Sequence, residues 1–461
     1  MFIIYLILRL FTPNKELLIW GDEARHLKTA KTFYRMWNNS FYDTHPPLYS
    51  WLIRQFSRFM KDYKAGITIS LLCSIGLYWV CNQLYDYLGL NPYQKLIALG
   101  FISFNYTLIY YSNRIFRYQL VVLLGTAILF LLLTKHALLG GIAWGLLALT
   151  CGFASLRVFW VWFFIGHNIF TLSIFLLFYT SWLCEKASVY SMNDYYPSGL
   201  DGKIEPVWNF TWKQLISPMY FPYTYSYYGK RELGYDFKNW FKKIGGIFGL
   251  YQVKNRRLNI LLSIMTFIMC LLTIVGMLQS KWYLSVITLC LLYPSLYKRF
   301  LPRNSIVAIP LIGYFLAKGC PIVSLQWVYF LFLGALGGFL WVNRHIIFTL
   351  NCNTQGKVTA TYLNSLPHNG ILVEGLIAYS MAYLTDKRVV VIPHEPDNLL
   401  ARQQVNLSIA KFDLHYAVFS ELYKTELHLG YPAIDYVKSF KLLNIIEEDK
   451  DIYYIYEIPI N

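Results

Sequence analysis

Two acids stand side by side at Asp22 and Glu23, in the run Trp20-Gly21-Asp22-Glu23-Ala24-Arg25-His26, and the same loop closes with Thr44-His45-Pro46-Pro47-Leu48-Tyr49-Ser50-Trp51. Adjacent carboxylates behind an apolar segment can take a proton from an attacking hydroxyl or hold a metal ion. The same residues have a plainer use: Asp22 can cap a helix running through Met36, Glu23 can favour its positive end, and Pro46-Pro47 can start a helix after a turn. Taken alone, these pieces favour the plainer use at least as much. Basic residues then gather at Ser112-Asn113-Arg114-Ile115-Phe116-Arg117-Tyr118 and at Lys298-Arg299-Phe300-Leu301-Pro302-Arg303-Asn304. A guanidinium grips phosphate bidentately, while a single arginine near a membrane is more often an anchor with its stem along lipid. Convergence favours the chemical reading, because the topology expected below puts Asp22, Arg114, Arg117 and Arg303 at one membrane face.

The elements that must position these residues are membrane spans. The chain has 461 residues, of which 56% are hydrophobic, 18% aromatic and 14% charged, with a mean hydropathy of +0.39. These values exclude a disordered chain and argue against an ordinary soluble one. Forty-one Lys and Arg against 25 Asp and Glu leave a formal charge of +16. In so hydrophobic a chain that surplus points to anionic lipid or phosphate rather than nucleic acid. Residues 12–64, 185–257 and 344–461 are too polar for a bilayer, and the remainder holds about eleven helices of spanning length. We expect them near 1–11, 65–89, 95–112, 118–134, 137–153, 158–169, 170–184, 258–279, 282–298, 305–319 and 321–343. Met1–Phe11 is about half the usual span length and has no cleavage-site pattern. From Leu156 to Leu183, one tilted helix and two short ones hinged at Gly166-His167-Asn168 both fit.

The expected fold class is therefore a polytopic α-helical membrane protein, with a transmembrane domain over 1–343 and a small soluble α/β domain over 344–461. Short connections with single lysines at 95, 135, 281 and 318 favour an inside amino terminus, which puts the first loop and the last domain on the non-cytoplasmic side. In the last domain, strand-like runs at Ile371–Val373, Val389–Ile392, Ala417–Phe419 and Ile452–Ile455 alternate with helical stretches at Val358–Leu366, Gly375–Tyr383 and Asn398–Ala410. No dinucleotide-binding glycine pattern or phosphate-binding loop accompanies them. His394, Glu395 and Asp397 read as a solvated loop. The middle loop is aromatic from Tyr220 to Gly229, which suits the lipid headgroup layer or a sugar face, and Asp236–Lys243 reads as an interfacial helix. Eight scattered cysteines with no C-x-x-C pair read as small buried residues.

In its order of parts the chain resembles the GT-C membrane glycosyltransferases, in particular the dolichyl-phosphate-mannose protein mannosyltransferase and lipid A aminoarabinose transferase-like branch. The short first span, Gly21-Asp22-Glu23-Ala24 at its outer end, His45-Pro46-Pro47-Leu48-Tyr49 about 20 residues later, the arginines after the third span and the late Leu301-Pro302-Arg303 carry the resemblance, which covers essentially the whole chain. It implies transfer of a sugar from a polyprenyl-phosphate donor to a glycan, lipid or protein hydroxyl, usually with inversion, in the plasma or inner membrane or the endoplasmic reticulum. By that resemblance Asp22 is the catalytic acid that deprotonates or orients the acceptor, with Glu23 as its neighbour. His45, Arg114, Arg117 and Arg303 bind the donor phosphate or substrate, and any divalent cation would sit on Asp22 and Glu23. Many relatives carry a second acid where this chain reads Arg117-Tyr118-Gln119, which weakens a metal-bound scheme. Two other readings stay open: a flippase for lipid-linked glycans, whose chief mid-span ionisable group would be His167, and a catalytically silent relative.

Overall fold

A computed structural model of the chain describes residues 1–12, 17–19, 22–32, 46–191, 240–250, 256–293, 302–320, 333–334, 347–348, 352–354, 356–392, 398–421, 431–448 and 451–459. The aromatic run 220–229, the expected span 321–343 apart from two residues, and the group at 394–397 lie outside them. Apolar runs fold into a helical bundle: α1 (Phe2–Leu10), α2 (Asp22–Thr32), α3 (Leu48–Phe56), α4 (Asp62–Tyr87), α5 (Pro92–Phe104), α6 (Tyr106–Ser112), α7 (Tyr118–Leu133), α8 (Ala137–Ala148), α9 (Gly152–Val161), α10 (Ile169–Ser191), α11 (Trp240–Ile247), α12 (Arg256–Leu278), α13 (Trp282–Leu292) and α14 (Ile309–Gly319). Among the described residues, Asp62–Tyr87 and Asn259–Leu278 are long and apolar enough to cross a bilayer, while Tyr118–Leu133, Ala137–Ala148, Ala154–Gly166, Ile169–Ser181, Trp282–Leu292 and Ser305–Gly319 are shorter apolar segments of 10 to 17 residues. Leu72, Trp79, Phe267 and Ile274 are exposed on the two long helices, as lipid-facing residues would be.

The helices follow the expected spans with local differences that have physical causes. Asn105 breaks the stretch expected at 95–112: its side chain accepts from Leu108 N–H and donates to the carbonyl of Ile247 at 2.9 Å, so one asparagine caps α6 and anchors α11. Ile244, Ile247 and Phe248 at the end of α11 are buried in the bundle, while residues 236–239 of the expected interfacial helix lie outside the described residues. Of the two possibilities between Leu156 and Leu183, the hinged one is present. A π-turn over Trp162–Gly166 leads to His167 in the left-handed region (φ 39°), and Asn168 Oδ1 accepts from Phe170 N–H to start α10. Helix α9 begins at Gly152 rather than near 158. Where α12 crosses α14, a Cβ on Gly276 would lie 1.8 Å from the carbonyl oxygen of Phe315, so the two backbones touch through glycine.

The short first helix carries a cation, and its partners explain how. Arg9 is wholly buried, stacks 3.5 Å over the Tyr5 ring, and donates to the carbonyls of Ser103 (2.8 Å) and Ile102 (2.9 Å) and to Ser74 Oγ (3.0 Å). Those carbonyls are orphaned at the C-terminal end of α5, where a cation is favoured by both hydrogen bonding and the helix dipole.

The last domain is the expected α/β unit. A five-stranded sheet runs in the order β6-β5-β7-β9-β8, with β5 (Gly370–Val373), β6 (Arg388–Val391), β7 (Tyr416–Ser420), β8 (Lys441–Glu448) and β9 (Asp451–Glu457). The β5–β6 and β5–β7 pairs are parallel; the β7–β9 and β8–β9 pairs are antiparallel. Alternate residues face opposite layers. Ile371, Val373 and Val418 meet α15 (Lys357–Ser365) and α16 (Gly375–Leu384), while Leu372, Ala417 and Phe419 meet α17 (Asn398–Phe412) and α18 (Tyr431–Val437). Strand β8 and helix α18 are additional to the expected elements. So are two small pairings that join the loop after α1 to the chain leading into this domain: β1 (Phe11–Thr12) with β3 (Ile347–Phe348), and β2 (Leu17–Ile19) with β4 (Cys352–Thr354). Cys73, Cys81, Cys151, Cys270, Cys290 and Cys320 are free thiols, with Cys73, Cys81, Cys151 and Cys320 buried.

Candidate active site at the Glu23 and Arg114 pair

Helix α2 presents two stripes at three-residue spacing. Ala24, Leu27 and Ala30 are buried against Tyr49 and Ile53 of α3, Ala65 and Ile69 of α4, and Ile115 in the turn before α7. Arg25, Lys28 and Lys31 form the other stripe, and it meets α16 of the last domain. Arg25 stacks 4.8 Å over Tyr379 and Lys31 5.8 Å over Tyr383, with Asp386 close enough to act on Lys28. Burial pushes the Lys28 ammonium below the ordinary lysine range, neighbouring Lys31 adds to this, and Asp386 opposes it. Burial likewise pushes the Tyr383 phenol up, with Asp62 contributing.

With α2 held from both sides, the second residue of its first turn is fixed. Glu23 is wholly buried and Arg114 nearly so. Arg114 Nε donates to Glu23 Oε1 at 2.8 Å, Arg114 Nη2 donates to Oε2, and the Ile115 N–H donates to Oε1 at 3.0 Å. This fork-on-fork pairing ties the first turn of α2 to the α6–α7 turn, 91 residues later. The turn is itself secured from α4: Ser70 Oγ donates to the Arg114 carbonyl at 2.8 Å, and the Tyr49 hydroxyl reaches Ser70 Oγ at 3.0 Å. Gly66 lets Ile115 sit directly on α4, since a Cβ there would lie 2.6 Å from Ile115 Cγ2. His26 Nδ1 is 3.4 Å from Ser50 Oγ, and its ring meets Tyr49 edge-on.

The expected site residues therefore have different places. Glu23 and Arg114 are brought into direct contact. Arg117 stands at the N-cap position of α7 without a side-chain capping bond, and its Nη1 is buried with no hydrogen-bond partner among the described residues; the same holds for Gln119 Oε1, while Gln119 Nε2 donates to the Leu108 carbonyl. For Asp22 and Arg303 the structure describes the backbone. Asp22 opens α2, and Arg303 lies in a 3₁₀ turn (Pro302–Ala308) that packs against α6 and α7. His45 lies outside the described residues. Tyr49, Ser70 and the Ile115 N–H were not expected as parts of the site; Tyr49 lies within the His-Pro-Pro-Leu-Tyr run, whereas nothing local marks the other two. Glu23 does not fit a divalent cation, because both its oxygens face a guanidinium whose charge repels one. Among the described residues no group of three His, Cys, Asp or Glu is placed to hold a metal.

This arrangement of helices with a terminal sheet domain matches solved structures as a fold. It is shared with two solved structures of ArnT from Cupriavidus metallidurans. The apo state is 10% identical, with a TM-score of 0.59 over 98% of this chain and 96% of that one. The state bound to undecaprenyl phosphate is also 10% identical, with a TM-score of 0.60 over the same shares of both chains. No family model matches the chain, and no curated protein matches it in sequence.

Proposed function

We propose that the chain is an integral membrane glycosyltransferase that moves a sugar from a polyprenyl-phosphate donor to a hydroxyl acceptor on the non-cytoplasmic face. The observation that carries this reading is the fold, shared over almost the whole of both chains with a protein solved with undecaprenyl phosphate bound. The acid and arginine residues of the first and third loops add to it, since Glu23 and Arg114 hold Asp22 and Arg117 on elements that are locked together.

In this mechanism Asp22 takes the proton of the acceptor hydroxyl as its oxygen attacks the anomeric carbon. The new C–O bond forms as the bond from that carbon to the donor phosphate breaks, and polyprenyl phosphate leaves with the electron pair. Single displacement inverts the anomeric centre. Charge grows on the departing phosphate, and cations already oriented toward it stabilise the transition state most. Arg117, Arg303 and His45 serve that purpose, and the start of α7 adds its helix dipole. Glu23 and Arg114 act mainly on position, because each neutralises the other in a buried site.

The flippase reading has less support. Arg9, the buried cation of α1, is engaged by carbonyls, and His167 is exposed at a hinge rather than deep in a span.

The test supplies purified protein with polyprenyl-phosphate sugars and mixed acceptors and measures released lipid phosphate. It is paired with glycan profiling of a deletion strain rescued by wild type or Asp22→Asn at matched membrane levels. We expect one sugar to disappear from the deletion strain and only wild type to restore it. Restoration by both versions would make Asp22 a helix cap and end the proposed mechanism.

A further inference from the structure

At the other end of the bundle a cavity of about 320 Å³ opens between the ends of α4 and α7, the π-turn, and the start of α13. It lies 17 residues along α4 from Ser70, about 26 Å at helical rise, which is close to the thickness of a bilayer core. Leu132 and Phe164 give it apolar lining, Lys135 and Lys281 line it from exposed positions, and Tyr87 and the buried Tyr314 complete it. Both lysines are exposed, and neither has a carboxylate partner among the described residues.

Local structure does not account for these lysines. Lys135 follows the C-terminal end of α7 in the left-handed region at φ 64°, a position where glycine is free of strain and a side chain is not. The α7 dipole returns part of that cost. Lys281 has no such return: it is the N-cap of α13, makes no capping hydrogen bond, and places a cation at the positive end of the helix dipole. Two residue choices that are each locally unfavourable meet at one cavity, a pattern that marks a functional site.

We propose that this cavity binds the phosphate group of an anionic lipid, with the two ammonium groups on the phosphate and the chain along the Leu132 and Phe164 lining. Basic pockets between helices at a membrane face recognise such headgroups. The site is separate from the Glu23 and Arg114 pair and does not rest on the proposed transferase activity.

The experiment titrates full-length protein in phosphatidylcholine nanodiscs with labelled phosphatidylglycerol and counts retained lipids by native mass spectrometry. One saturable site at least tenfold tighter for phosphatidylglycerol than for phosphatidylcholine is expected. Lys135→Gly and Lys281→Ser each weaken it about fivefold, and the double variant about thirtyfold, while Lys135→Arg retains it. Without anionic lipid, both single variants melt at or above the wild-type temperature, because the replaced lysines were locally unfavourable. Displacement of the lipid by millimolar inorganic phosphate, with the same lysine dependence, would identify a free phosphate as the occupant; failure to displace identifies the lipid. Equal binding of the two lipids, a double variant that binds like wild type, or lysine variants that melt lower would overturn the proposal.

Discussion

The two ends of the bundle handle charge in opposite ways. At the Glu23 end, a carboxylate and a guanidinium are both buried and spend their hydrogen bonds on each other. At the Lys135 end, two exposed cations line one cavity with no acid beside them among the described residues. A buried charge must be paired within the protein, because leaving water without a partner costs several kcal/mol. A cation at the headgroup level can leave its counter-charge to a ligand. The first arrangement makes a rigid frame for chemistry, and the second makes a receptor.

Predictions that break this comparison begin at the acid end. Asp22→Asn should lower sugar transfer by about 10²- to 10⁴-fold, the usual worth of a general base, while the Lys135 and Lys281 variants leave turnover within about twofold. Initial rates with a saturating lipid-phosphate donor measure both; equal losses at the two ends would erase the distinction. Glu23→Gln should cost about 3–5 kcal/mol in stability, since it removes the carboxylate charge that neutralises the buried Arg114 guanidinium. Adding Arg114→Met should recover most of that loss in chemical denaturation, whereas an exposed ion pair would show almost no effect of either change.

Arg9→Met sharpens the comparison, because it tests a buried cation paired with carbonyls instead of an acid. We expect a loss of about 2–4 kcal/mol as the carbonyls of Ile102 and Ser103 lose their donor, read as a lower melting temperature. The smallest effect is at the joint between α2 and the last domain. The Lys28 ammonium titrates below its unfolded value of 10.5 in the folded protein. In the window between those two values the unfolded chain binds more protons, so stability rises as pH climbs through it. Protease resistance of this joint should increase in wild type as pH climbs toward 10, below the range in which the raised Tyr383 phenol opposes it, and that increase should be absent in Lys28→Met.

Much of the architecture was legible because periodicity reports burial. The strands β5, β6, β7 and β9 and the helices between them fall within a few residues of their expected places, since the strands read as short apolar or aromatic runs alternating with longer helical stretches. Strand β8 was not legible. Its sequence, Lys441-Leu-Leu-Asn-Ile-Ile-Glu-Glu448, lacks clean alternation, its residues are mostly half-exposed, and only pairing with β9 makes it a strand. In the bundle, the Asn105 break lay inside an apolar stretch: its cap on Leu108 N–H is local, but the carbonyl of Ile247 that holds its amide is 142 residues away.

By itself the sequence determined that this chain is a basic, helical, membrane-class protein with an α/β module at its end, and it marked Asp22, Arg114, Arg117 and Arg303 as a group at one membrane face. Composition and periodicity suffice for that, because apolar area and its spacing along the chain decide which faces leave water. Only the tertiary structure decided that Glu23 is clamped by Arg114, that Arg9 serves the end of α5, and that Lys135 and Lys281 share one cavity. Each of these depends on contacts between residues tens to more than a hundred positions apart, and a short-range contact of charge with charge or donor with acceptor leaves no periodic trace along the chain.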